Sequence, residues 1–191
     1  MSEPSPEPLQ AGHLLVATPS LLDPNFERTV VLVLDVDENG ALGVVLNRPS
    51  TVPVAEVLPD WSMLAASPDV MFQGGPVSTD SALAVAALPP GQESEPVGFR
   101  RLYAGVGIVD LDTPTEILGS ALERMRIFAG YAGWGEEQLA EEIREGSWYV
   151  LPSEPGDLFG ADPLGLWMRV LRRQPGELAW VSTRPLDPTM N

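Results

Sequence analysis

Phe128-Ala129-Gly130-Tyr131-Ala132-Gly133-Trp134-Gly135-Glu136-Glu137-Gln138-Leu139, continued by Glu142-Ile143 and Gly146-Ser147-Trp148, is the stretch around which the rest of this chain reads. Its glycines call for backbone torsions or close approaches that a side chain would forbid, and rigid rings are interleaved with them. Such a combination makes a structural knot, a binding site, or both. Residues 127–132 read as a strand, and Gly133-Trp134-Gly135 as the turn that leads out of it into a helix. Glu136 and Glu137 then lie near the positive end of that helix, Arg144 near its negative end, and Gly146 at its C-terminal cap. At about 100° per residue, Leu139 and Ile143 share one face, while Gln138 and Glu142 stack a turn apart along its edge. Trp148-Tyr149-Val150-Leu151 follows as a closing strand.

On the N-terminal side, Thr113-Pro114-Thr115-Glu116 has the form of a capping box with proline at the first helical position. The spacing of Ile117, Leu118, Ala121, Leu122 and Met125 predicts a helix from there to Arg126. Earlier, Val30-Val31-Leu32-Val33-Leu34 and residues 41–46 flank Asn39-Gly40, the signature of a hairpin with a type I′ turn. The run from Asp35 to Gly40 imitates the first half of a calcium loop, but Leu46 stands where the bidentate glutamate belongs and strands flank it. His13 to Ala17, Val70-Met71-Phe72, residues 82–88 and residues 102–110 read as further strands, and residues 52–58 as a short helix. After a Pro/Gly-rich loop, Asp162-Pro163 starts a helix carrying Leu164, Trp167 and Leu171, which Pro175-Gly176 ends; an irregular strand and tail follow. Residues 1–10, rich in proline and glutamate, read as a disordered tail, and residues 11–191 as one domain.

Twenty-seven acidic residues face 11 basic ones, all of them arginine, for a net charge of −16. Nucleic-acid affinity rests on cations at phosphates, so this balance opposes direct contact with DNA or RNA and with anionic membranes. Arg169, Arg172 and Arg173 form the one dense cluster, at the end of a helix where the dipole accounts for them. No apolar run approaches the ~20 residues of a membrane-spanning helix, and the first residues lack the pattern of a secretory signal. The chain reads as cytosolic. With no cysteine and a single histidine, neither a thiolate site nor a typical zinc site can be built, and no metal or cofactor is expected.

Three short motifs are candidates for chemistry. Asn47-Arg48 precedes Pro49 at a strand end, where the guanidinium fork can orient a ligand carboxylate or phosphate, or equally bond loop carbonyls and a neighbouring acid. Gly74-Gly75-Pro76 can turn backbone amides toward an anion, or simply connect strands tightly. Gly133 and Trp134 with Gln138 and Glu142 can wall a pocket, with Glu142 as a candidate acid or base. No G-x-S-x-G elbow or H-E-x-x-H motif occurs.

Taken in order, Gly12 to Pro19 with Asp23-Pro24-Asn25-Phe26, Gly40 to Pro49, Gly74-Gly75-Pro76-Val77, and Gly130-Tyr131-Ala132-Gly133-Trp134 with Gln138, Leu139 and Glu142 resemble the bacterial AlgH/YqgE-like family. Asp187-Pro188 and Asn191 fit as well. The resemblance implies a single α+β domain whose mixed, bifurcated β-sheet forms a pseudo-barrel with helices packed against it. It implies no established activity. Some members are labelled transcriptional regulators, yet this chain has no basic recognition helix to support that role by DNA contact. The reading that follows is a non-enzymatic module that binds a small anionic ligand or a protein partner. An enzyme using Glu142, with an anionic substrate or a divalent metal, is the alternative, and a transcriptional regulator acting by direct DNA binding is a distant third.

Overall fold

The computed structural model describes residues 7–183, so residues 1–6 of the expected tail and the motif positions after 183 lie outside the described residues. Among the described residues there are ten strands: β1 (His13–Ala17), β2 (Val30–Asp37), β3 (Gly40–Val45), β4 (Pro49–Pro53), β5 (Val70–Gln73), β6 (Val77–Ala87), β7 (Phe99–Tyr103), β8 (Val106–Val109), β9 (Arg124–Gly135) and β10 (Trp148–Pro152). The α-helices are short: α1 (Val54–Val57), α2 (Thr115–Leu118), α3 (Gln138–Arg144), α4 (Pro155–Phe159), α5 (Leu166–Arg172) and α6 (Leu178–Val181). The strands form one sheet in the order β10-β1-β2-β3-β9-β6-β8-β7, with β4 and β5 on a branch. This α+β sheet curls into a half-barrel, as expected.

The branch point is β9. Along one side it pairs antiparallel with β6, from Ala87↔Arg124 to Val77↔Tyr131. Its other side is divided: β5 runs parallel to it at Phe72↔Phe128 and Gln73↔Ala129, and β3 takes over antiparallel at Gly43↔Ala132 through Gly40↔Gly135. Because side chains alternate faces along a strand, β9 supplies three separate cores. Phe128 joins the cluster inside the half-barrel with Leu32, Leu34, Trp167 and Val170. Met125 and Ile127 join Trp61, Leu118 and Leu122, and Ala132 and Trp134 join Val31, Val33 and Trp148. β2 shows the same alternation, which is why residues 30–34 are continuously apolar and all buried.

Several expected elements are corrected. The helix predicted to reach Arg126 stops at Leu118 and becomes a 3-10 turn over Gly119–Ala121; its N-cap is Pro114, and no side chain caps it. Leu118, Leu122 and Met125 are buried as expected, but Ile117 is 58% exposed; the helix does not continue because the β6 ladder captures residues from Arg124 onward and outweighs the helical spacing. Gly133-Trp134-Gly135 belongs to β9, and the turn out of it is Glu136-Glu137, with Glu137 left-handed at φ 63°. The β2–β3 turn is centred on Glu38-Asn39, neither at positive φ, and Gly40 already pairs with Asp37 across the ladder, so it is not a type I′ turn. Residues 102–110 are not one strand but parts of two, β7 and β8, reversed at Ala104-Gly105. Residues 52–53 extend β4 before α1 begins, helix α4 forms inside the expected loop, α5 starts only at Leu166, and α6 replaces the expected strand.

Arg126 lies within β9 and is 2% exposed. Its guanidinium donates to the carbonyls of Leu158, Gly160, Ala66 and Ser67 and sits 4.3 Å from the Phe72 ring centroid. Desolvation without a carboxylate partner pushes it down to about 10. One cation thus ties the C-terminal end of α4 and the 66–67 segment to the central strand.

Candidate functional site

The expected site residues separate into two neighbouring arrangements that meet at the loop over residues 23–29. In that loop the Asp23 carboxylate accepts from the Asn25 amide at 2.8 Å and the Asp23 carbonyl from the amides of Phe26 and Glu27, winding a single helical turn. The carbonyls of Pro24, Asn25 and Glu27 then lack partners within the turn. Arg48 supplies them: Nη1 donates to Asn25 at 2.7 Å, and Nη2 to Pro24 at 2.9 Å and Glu27 at 3.2 Å. Asn47 completes the anchorage, accepting from the Val30 amide at 3.0 Å and donating to the Arg28 carbonyl at 2.8 Å. Burial lowers the Arg48 pKa, partly opposed by the charges of Glu27 and Asp23.

Gly74-Gly75-Pro76 connects β5 to β6, which flank β9 on opposite sides, so the chain must cross over β9. The crossing is backbone on backbone. A Cβ on Gly75 would lie 2.2 Å from the Tyr131 carbonyl carbon and oxygen, and one on Gly74 would lie 2.3 Å from the Gly130 oxygen. Reciprocally, a Cβ on Gly130, at φ +74°, would meet the Gly75 oxygen at 2.5 Å. The Gly74 amide is committed to the Ala129 carbonyl at 2.9 Å, and the Val45 amide donates to the Gly74 carbonyl. The two glycine motifs of the sequence are thus the two halves of one contact.

Between this crossing and the 23–29 loop lies a cavity of about 380 Å³, walled by Arg48, Gly75 and Pro76 together with Asn25, Gln73 and Thr79. Asn47 and Gly74 support the walls without lining it. Sequence reasoning did not single out Asn25, Gln73 or Thr79; Asn25 was legible only as part of the Asp-Pro-Asn-Phe turn.

Trp134, Gln138 and Glu142 do not line this cavity. They form a polar clasp around an aromatic cluster. The indole nitrogens of Trp134 and Trp148 both donate to Glu142 Oε2 at 2.9 Å, Gln138 Nε2 donates to Oε1 at 3.3 Å, and the Gly135 amide donates to Gln138 Oε1 at 3.1 Å. Phe26 completes the cluster, with ring centroids 5.9 Å from Trp134 and 5.5 Å from Trp148. The loop residue that packs there is flanked by Asn25 and Glu27, whose carbonyls hold Arg48, so the two arrangements share a rigid element. Gly133 is exposed on β9 beside the clasp.

Of the arginine cluster, Arg169 pairs with Asp162 at 2.9 Å and Arg173 with Asp157 at 2.7 Å, so two of its three cations are neutralised locally while Arg172 is exposed. Among the described residues no group of three or more His, Asp or Glu side chains is placed to hold a metal ion, and no helix is long and apolar enough to cross a membrane.

The family model described as DUF179, AlgH-like, matches residues 14–179. A UPF0301 protein of Streptomyces coelicolor is 59% identical over 182 residues, covering 94% of each chain. One from Thermobifida fusca is 54% identical over 189 residues, covering 94% of each chain. Among solved structures, protein DIP2367 of Corynebacterium diphtheriae superposes with a TM-score of 0.87 at 33% identity, covering 96% of this chain and 95% of that one. The solution structure of AlgH from Pseudomonas aeruginosa gives a TM-score of 0.69 at 29% identity, covering 97% and 98%. With the family model spanning most of its length and relatives more than half identical, the chain belongs to the AlgH-like family of UPF0301 proteins.

Proposed function

We propose that this protein is a cytosolic, non-enzymatic binding module whose site is the cavity beside Arg48, and that its ligand is a small anion. The observation that supports this is the convergence of a guanidinium, a crossing loop and an Asx-capped turn on one cavity of about 380 Å³. That volume is at the lower end of small-molecule pockets. Arg48 uses Nη1 and Nη2 on the loop carbonyls and is held rigidly by them, so a ligand carboxylate or phosphate would meet a preorganised cation. The Glu142 carboxylate, by contrast, is occupied by two indoles and a glutamine, a role in packing rather than in proton transfer. Net charge and the paired arginines favour regulation by ligand or protein contact over direct DNA binding.

The test is a thermal-shift series on the full chain with inorganic phosphate, oxalate and citrate. Binding at a hundredfold excess over Kd adds about 2.7 kcal/mol, about 5 °C or more for a chain of this size. The shift should vanish in Thr79→Trp, which fills the cavity from exposed β6 without disturbing the loop. A shift that survives in Thr79→Trp, or none with any of the three anions, would overturn the assignment.

A further inference from the structure

A second cavity, of about 490 Å³, lies at the start of β9, between the end of β6, the β7–β8 turn and α4. Its floor is apolar: Leu88, Leu158 and Phe159 line it, each less than a tenth exposed, with Tyr103 and Val106 beside them. Desolvation, the largest effect on it, pushes the Tyr103 phenol up to about 12, so this wall stays uncharged. Arg124 stands at one end, its guanidinium carbon 4.9 Å from the Phe159 ring centroid.

The guanidinium of Arg124 differs from those of Arg48, Arg101 and Arg126. Those three donate to backbone carbonyls; Arg101, in the same cavity, holds the carbonyls of Gln92, Glu93 and Ala104 and so fixes the loop that forms the cavity's rim. The Arg124 side chain makes no hydrogen bond or ion pair among the described residues, and its Nε is buried without an acceptor. A cation set over an aromatic ring at the end of an apolar cleft, with donors unused, matches one kind of ligand. The two carboxylates on the lining, Glu123 and Glu154, limit the charge that ligand can bring, since a dianion would meet them as well. Glu154 is already shared with Arg173 at 3.5 Å.

We propose that this cleft is a separate binding site for a monoanion with an apolar body, a medium-chain carboxylate in chemical class, whose head group pairs with Arg124 while its chain lies on Leu88, Leu158 and Phe159. The site is independent of the cavity at Arg48 and does not rest on the reading given to it.

Sodium decanoate, used below its micelle concentration, tests this on the full chain by amide chemical-shift mapping and calorimetry. Saturable shifts centred on Gly91, Ala104, Gly105 and Val106 are expected, with acetate producing none and decanol binding more weakly than decanoate. Arg124→Met should weaken decanoate binding about tenfold or more and Arg124→Lys should recover part of it, as loss and partial return of a charge-assisted pair predict. Thr79→Trp should leave decanoate binding unchanged. Equal affinity in Arg124→Met, loss of binding in Thr79→Trp, equal binding of decanol, or absence of saturable shifts would each overturn the proposal. If Arg124→Met does not fold, the wild-type map decides: shifts confined to the rim residues support the site, and shifts elsewhere refute it.

Discussion

Trp134 and Trp148 donate their indole protons to the same carboxylate oxygen of Glu142, each at 2.9 Å, with their ring centroids 5.9 Å apart at 84°. One residue from the end of β9 and one from the start of β10 are thereby joined through α3, which lies between them in the chain. Both tryptophans are nearly buried, at 6% and 4% exposure, and among the described residues Glu142 is the one protein acceptor for either indole.

Glu142→Ala should therefore leave two buried N–H groups unsatisfied and lower stability by about 2–4 kcal/mol. Glu142→Gln keeps an acceptor of the same shape but loses the charge, and should cost about half as much. Urea unfolding followed by tryptophan fluorescence measures both, and a cost for Glu142→Ala below that of Glu142→Gln would show that the clasp contributes nothing.

Two glycines from the expected site should respond oppositely to alanine. Gly75→Ala places a Cβ 2.2 Å from Tyr131 backbone atoms at φ +154°, and neither strand at the crossing can withdraw without breaking its ladder. The cost should exceed about 3 kcal/mol, or the chain should not fold. Gly133→Ala meets only the tip of the Tyr131 ring, at 3.6 Å, and should change stability by about 0.5 kcal/mol or less. Circular dichroism melts of the two variants distinguish the outcomes.

Arg126→Met should destabilise by about 2–4 kcal/mol, because it removes the donor from four carbonyls and leaves them buried. The substituted methionine fits the space against Phe72, so packing alone predicts a near-neutral change. Denaturant titration decides between hydrogen bonding and packing as the larger contribution.

Tyr103 should report on alkaline stability. Its phenol is pushed up to about 12 in the folded chain by burial, against 10.0 for an ordinary tyrosine. Between these values the unfolded chain has released the proton and the folded chain still holds it. Stability conferred below pH 10 is thus lost as pH rises toward 12, by about 1.4 kcal/mol per pH unit within the window. Tyr103→Phe removes this loss, so the stability of wild type relative to the variant should fall from pH 9.5 to pH 11 in urea titrations. A constant difference would show that the phenol is not desolvated.

How much of this was legible beforehand varies with the kind of signal. The β2–β3 hairpin was plain because residues 30–34 and 41–45 are apolar, β-branched and separated by turn residues, all local properties. The Schellman-like end of α3 was equally plain, since Gly146 is left-handed at φ +85° and Ser147 bonds back to Glu142. The failed helix over residues 119–126 has the right period, yet β6 captures its end through Ala87↔Arg124, Ala86↔Met125 and Val85↔Arg126. Periodicity counts apolar residues along the chain and is blind to a strand arriving from forty residues earlier.

The amino-acid sequence by itself determined the class of object: an acidic α+β chain, the buried strands, the capped end of α3, and the motifs that mark its family. It also gathered Arg48, Gly75, Pro76, Trp134 and Glu142 as residues of interest. Only the tertiary structure decided that they divide between a cavity and an aromatic clasp, that the glycine motifs are two sides of a single crossing over β9, and that Arg124 faces an apolar cleft with its donors unused. The physical reason is range. Torsional preference and apolar spacing act over a few residues and are written locally, whereas a cavity, a backbone crossing and a desolvated cation exist only where segments distant in sequence are brought together.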